Sequence, residues 1–206
     1  MKKYTLDQIV DLLNAEFPEG SENFTYRTLE AFTCKYDCYL DSGETRWVIF
    51  QPHWKEVIKM PRFDNVDDDY CEIELDNYNQ ACDLGIERIL LACRKVCVLN
   101  CGSPVYAQIK YTCSHRDLDR KAENKLYDHT NQVFNGGIVH IACRGMHDYH
   151  RINERWFARA YQIYGKRFMK VVEDFTRRNL IGDLHSSNIG WLGKQPIILD
   201  YAGYHG

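Results

Sequence analysis

Between Thr5 and Phe17 the apolar residues Leu6, Ile9, Val10, Leu13 and Phe17 recur on one stripe, which predicts an amphipathic helix. Thr5 and Gln8 supply a capping box at its start, and Pro18-Glu19-Gly20-Ser21 ends it. From Cys34 to Leu40 the period changes to two. Cys34, Tyr36, Cys38 and Leu40 alternate with Lys35 and Asp37, and this predicts a strand. Asp41-Ser42-Gly43-Glu44 has turn chemistry, and Trp47-Val48-Ile49-Phe50 reads as the returning strand. A third strand is expected from Glu56 to Met60, stopped by Pro61. The period lengthens again over Asp69 to Leu84, where Cys71, Glu74, Tyr78, Ala81 and Cys82 mark a helical stripe. Two more strands are expected at Ile89 to Leu99 and Val105 to Tyr111, joined by Cys101-Gly102-Ser103-Pro104.

Residues 112–150 are polar and carry no usable period. Arg155 to Arg178 predicts a single long helix buried through Trp156, Phe157, Ala160, Ile163, Tyr164, Phe168, Val171, Val172 and Phe175. A polar loop from Asp183 to Asn188 follows, then a short strand at Ile189 to Trp191. After a Gly193-Lys194-Gln195 turn, a last strand, Ile197 to Leu199, runs into Asp200. Five expected strands and two helices in the first half, with a long helix and a two-strand hairpin in the second, make the expected class α+β.

The chain has 206 residues, 45% of them hydrophobic and 27% charged, enough for a substantial core. With 26 basic and 29 acidic residues its formal charge is -3, which argues against a nucleic-acid or anionic-membrane partner. No apolar run reaches the length of a membrane span. Lys2 and Lys3 resemble the charged start of a signal peptide, but Asp7, Gln8, Asp11 and Asn14 interrupt any apolar region behind them. The nine cysteines are an odd number and point to reduced thiols, so the expected compartment is the cytoplasm. Cys93, Cys97 and Cys101 lack the second pair that would close a zinc site. They are expected as core thiols, with Cys93 and Cys97 sharing a strand face with Ile89 and Leu91.

The candidate chemistry is concentrated near the end of the sequence. Asp183 and Asn188 stand five apart in one loop, and Asp200 follows 17 positions after Asp183, at the end of a strand. Phosphoryl transfer from ATP needs such a set: one carboxylate to orient the attacking hydroxyl, and an amide oxygen with a second carboxylate to hold Mg²⁺ on the phosphates.

These residues resemble the protein kinase-like superfamily. Asp183 and Asn188 match the D-x4-N of its catalytic loop, and Asp200-Tyr201-Ala202-Gly203 stands where its D-F-G element falls. Gly182 to Asn188 has the G-D-L-H-x-x-N form of small-molecule phosphotransferases and short bacteriophage-encoded kinases, with His185 where many protein kinases carry Lys. Val57-Ile58-Lys59 matches the V-A-I-K strand, whose Lys grips the α- and β-phosphates. Glu74 on the next helix is the preferred partner for Lys59, and Glu72 is the competing one. The Asp41 to Val48 hairpin keeps only Gly43 of the glycine-rich loop, and Gln108 to Tyr111, Lys110 included, corresponds to the connector that holds the adenine. His115-Arg116-Asp117-Leu118 spells the catalytic-loop word, yet Ala122 stands where Asn is required.

The resemblance implies a two-lobed fold. Residues 1–110 would form an N-lobe of one N-terminal helix, five strands and the Glu74 helix, and 111–206 a minimal, mostly helical C-lobe. It implies an ATP- and Mg²⁺-dependent Ser/Thr protein kinase of the bacteriophage type, acting on a host protein. Asp183, Lys59 and His185 would be catalytic, Lys59, Glu74, Gly43, Gln108 and Lys110 nucleotide-binding, and Asn188 and Asp200 the metal ligands. No peptide-docking helices follow Asp200 before Gly206, which leaves a silent binding module as an alternative; a small-molecule phosphotransferase is the other, and the same lack of helices counts against it.

Overall fold

The computed structural model describes residues 2–21, 24–62, 68–110, 154–181, 184 and 188–203. The protein is mixed α and β, with five α-helices and seven strands among these residues. No described helix is long and apolar enough to cross a membrane. The chain divides into two compact units, Met1–Asp76 with Ala92–Lys110, and Asn77–Leu91 with Tyr111–Gly206.

The first unit is built on a five-stranded antiparallel sheet of order β1-β2-β3-β5-β4. Its strands are β1 (Tyr39–Ser42), β2 (Arg46–Phe50), β3 (Glu56–Pro61), β4 (Cys93–Val98) and β5 (Pro104–Ile109). Alternate residues of a strand face opposite sides. Trp47, Ile49, Ile58, Met60 and Val105 therefore share one face, and it is covered by α1 (Leu6–Glu16) and α2 (Tyr26–Lys35) through Ile9, Leu13, Leu29 and Phe32. The opposite face carries Arg46, Val48, Lys59, Tyr106 and Gln108, since Lys59 lies across from Val48 on one side and Tyr106 on the other.

The α1 capping box forms as expected, with Gln8 N–H donating to Thr5 Oγ1 and Thr5 N–H donating to Gln8 Oε1. The strand expected over Cys34 to Leu40 does not form. Cys34 lies in the last turn of α2, an unexpected second N-terminal helix capped by Thr25 and Thr28, and β1 begins only at Tyr39. Leu29, Phe32 and Thr33 are its buried side, and Phe32 packs with Phe17 and Tyr36. The strand expected from Ile89 is also shorter, because Glu87–Ile89 is a single 3₁₀ turn and β4 starts at Cys93. A register shift between Lys95 and Cys97 sets Cys97 opposite Val105, so it packs with the apolar core rather than on the Cys93 face.

Helix α3 (Tyr70–Asp83) starts in the first unit and runs into the second at Asp76–Asn77. Its buried stripe is Cys71, Glu74, Asn77 and Ala81, whereas Tyr78 is half-buried and Cys82 exposed. In the second unit the long helix expected from Arg155 to Arg178 is two, α4 (Glu154–Tyr164) and α5 (Lys166–Arg178). Gly165 at φ 82° breaks it, in a conformation that side chains disfavour. Trp156, Phe157, Ala160, Tyr164, Met169, Val172 and Phe175 are buried, and Ile163, expected inside, is 37% exposed. Strands β6 (Ile189–Leu192) and β7 (Gln195–Ile198) form a hairpin as expected. Trp156 Nε1–H donates to the Gly190 carbonyl (2.8 Å) and Tyr164 O–H to that of Pro196 (2.8 Å), fastening the hairpin to α4.

Candidate active site

In the first unit the chemistry centres on Lys59. It projects from the middle of β3 onto the face opposite the α1–α2 core and is only 6% exposed. Its ammonium donates to Glu74 Oε2 at 2.5 Å and to Gln108 Oε1 at 3.0 Å, which uses two of its three hydrogens. Glu74 is 1% exposed. Its other oxygen, Oε1, lies 3.6 Å from Arg46 Nη1 and accepts no hydrogen bond among the described residues. Burial pushes the neighbouring Cys71 thiol up to about 12, against the opposing pull of the Lys59 and Arg46 charges.

The choice between the two helix carboxylates is resolved by side of the helix. Glu72 instead binds Lys95 (2.6 Å) and accepts the Tyr106 hydroxyl. Asp69, which also accepts from Tyr106, caps α3 through the N–H groups of Cys71 and Glu72.

Gly43 and Lys110 sit at the two ends of the same sheet. Gly43 lies in the β1–β2 turn, its N–H bonded to the Arg46 carbonyl (3.0 Å) and its own carbonyl accepting from Arg62 Nη1 (2.9 Å). Gln108 is not in a connector: it lies within β5 with its side chain buried against Lys59. Lys110 follows the end of β5, with its ammonium 3.2 Å from the Pro52 carbonyl and 4.9 Å over the Phe50 ring.

The second unit holds Asn188 and Asp200 together. Ile189 pairs with Ile198 across the β6–β7 hairpin, which places Asn188 and Leu199 on facing ends of it. The Asn188 carbonyl accepts from both Leu199 N–H (2.8 Å) and Asp200 N–H (3.4 Å). Asp200 Oδ1 accepts from Ala202 N–H at 3.4 Å. The segment after it is tied down: Tyr201 is fully buried, and its hydroxyl donates to the Leu91 carbonyl at 2.5 Å. Asn77 on α3 donates to the carbonyls of Tyr201 (2.7 Å) and Ala202 (3.4 Å). Gly203, at φ 83°, passes so near the Asn179 carbonyl that a Cβ would meet its oxygen at 2.3 Å.

Asp183, His185 and the His115-Arg116-Asp117 segment lie outside the described residues. Leu184, between the first two, is buried. Among the described residues no group of three His, Cys, Asp or Glu side chains is placed to hold a metal ion. Asn188 and Asp200 offer the hard oxygen donors that Mg²⁺ prefers when phosphate and water supply its remaining ligands.

Two residues escaped the sequence reading. Arg46 shares the parity of Val48 and Phe50 on β2, and Asn77 continues the Cys71–Glu74 spacing on α3, so the signal for each was strand or helix phase. Compared with protein-family models and with curated protein sequences, the chain gives no match.

Proposed function

We infer that the protein is an ATP-dependent phosphotransferase with a two-lobed, kinase-like fold, and that it transfers the γ-phosphate to a Ser or Thr of a protein substrate. The observation that carries the reading is the buried Lys59–Glu74 pair made between β3 and α3. An ion pair taken out of water seldom gains enough to offset its desolvation, so its stability value alone is a weak reason for it. It does hold an ammonium fixed and dry, with one hydrogen unused among the described residues, which is what gripping a phosphate requires.

Further support comes from the strand order β1-β2-β3-β5-β4 and from the half-buried Val48 and Val57, which share the Lys59 face and would seat a planar base. In the second unit, Asn188 and Asp200 are the residues that would hold Mg²⁺, whose chemistry is to neutralise charge on the phosphates. Lys59 would orient the α- and β-phosphates while Glu74 and Gln108 keep its side chain extended. Asp183 would accept the hydrogen bond of the attacking hydroxyl and aim its oxygen at the γ-phosphorus.

The test is the thermal midpoint with ATP, with and without Mg²⁺, for the wild type and Asp200→Asn. At about 100 times the dissociation constant a ligand adds roughly 2.7 kcal/mol, or about 5–11 °C at 2–4 °C per kcal/mol. A Mg²⁺-dependent rise that Asp200→Asn abolishes is the expected result. No rise at millimolar ATP would refute the reading and leave a binding module. Label transferred from γ-labelled ATP to small molecules but not to protein would move the acceptor class.

A further inference from the structure

We propose that Asn77 is a positioning residue for metal binding, which fixes the Asp200 carboxylate through the single peptide group between Tyr201 and Ala202; the proposal rests on the phosphotransferase reading above. Asn77 lies in the middle of α3 and is 4% exposed. Asn is a poorer helix residue than Ala or Leu, and a buried amide is costly unless its groups are bonded. What the amide holds accounts for its place there. Both contacts run to main-chain carbonyls, that of Tyr201 at 2.7 Å and that of Ala202 at 3.4 Å, so the atom facing them is the nitrogen with its two hydrogens.

The Tyr201 carbonyl and the Ala202 N–H are the two ends of one planar peptide group. Asn77 holds the oxygen end, and the other end donates to Asp200 Oδ1 at 3.4 Å. Fixing one end of a rigid plane aims the other, and a donor on the carbonyl strengthens the N–H as a donor in turn. The main chain on either side of this peptide has its own ties. The N–H groups of Leu199 and Asp200 are bound by the Asn188 carbonyl, and Gly203 lies close against the Asn179 carbonyl. Loss of the Asn77 amide would thus let this peptide turn while the flanking residues keep their ties. Asp200 would stay in place along the chain but lose a bond that orients its carboxylate for Mg²⁺. Carboxylates that bind metals are themselves hydrogen-bonded, and removing such an outer partner lowers metal affinity about 10–100-fold.

A merely structural Asn77 would lower stability and leave the Mg²⁺ requirement alone. Asn77→Leu keeps the volume and removes the donor. Ala81→Gly is the control, since it weakens the same buried stripe of α3 one turn on without touching the peptide. For both variants and the wild type, Mg²⁺ is titrated at saturating ATP while the thermal midpoint is followed, and ATP affinity in EDTA is measured by calorimetry. In Asn77→Leu the Mg²⁺ concentration for the half-maximal rise should increase about 10–100-fold, with ATP affinity in EDTA unchanged. Ala81→Gly should melt earlier yet keep the wild-type Mg²⁺ requirement. An unchanged requirement in Asn77→Leu, or an equal increase in Ala81→Gly, would overturn the proposal while leaving the nucleotide site standing. Should Asn77→Leu fail to fold, Asn77→Ser carries the test, since its hydroxyl stops one bond short of the atom that holds the Tyr201 carbonyl. Wild-type protein that binds ATP no better with Mg²⁺ than without it, or binds none, would overturn the phosphotransferase reading and this proposal with it.

Discussion

Glu74→Ala is the perturbation that most directly probes the centre of the first unit. Glu74 is 1% exposed and lies between Lys59 and Arg46, themselves 6% and 7% exposed. Removing the carboxylate leaves an ammonium at 2.5 Å and a guanidinium at 3.6 Å without the anion they face. Breaking a buried pair in this way costs about 3–5 kcal/mol. For a chain of this size the thermal midpoint should fall by about 6–20 °C. Glu72→Ala is the matched control on the same helix. Its ion pair with Lys95 leaves both side chains about 40% exposed, so it should cost no more than about 1 kcal/mol. A double substitution, Lys59→Met with Glu74→Leu, replaces the pair by apolar volume and should be more stable than Glu74→Ala alone. The assay is circular dichroism followed through heating and urea for all four proteins. Equal losses in Glu72→Ala and Glu74→Ala, or no recovery in the double variant, would refute the argument that burial makes this pair matter.

Four other outcomes follow from the geometry. Gly203→Ala should destabilise by more than about 2 kcal/mol, because left-handed strain adds to the close approach of the Asn179 carbonyl. Gly43→Ala, with ordinary φ and open space around it, should shift the midpoint by no more than about 2 °C, consistent with a surface change of about 0.5 kcal/mol. Asn77→Ala removes the donor to the Tyr201 and Ala202 carbonyls and should cost about 1–3 kcal/mol; hydrogen exchange at 199–203 should accelerate with it. Alkaline pH should destabilise the fold: burial lifts the Cys71 thiol from 9.0 to about 12 and lifts the Tyr106 hydroxyl, with help from Asp69 and Glu72. Groups raised in the folded state contribute fully below their unfolded values, so the midpoint should hold to about pH 9 and fall toward pH 12, less steeply in Tyr106→Phe. A flat profile across that window would contradict the burial of both groups.

How far the sequence alone could reach is clearest at particular residues. Local chemistry was legible: the Thr5–Gln8 box, the β2 and β3 runs, and the β6–β7 turn need only neighbours in the chain. Lys59 could be set in its strand and Glu74 preferred over Glu72, since strand phase and helix stripe are short-range properties. The segment from Cys34 to Leu40 was misread because its alternation of apolar and polar residues also fits the end of a helix. Phe32 packing beside Phe17 decides for the helix, through residues 15 apart. The long helix broke at Gly165, where φ 82° is a tertiary choice that glycine permits but does not demand. Cys97 changed face through a bulge set by pairing with β5. Above all, the sequence does not reveal that Arg46 and Lys59 would face one carboxylate, or that Asn77 would hold the carbonyls beside Asp200. Residue type and period determine which groups an element presents; only long-range pairing and burial determine which of them meet.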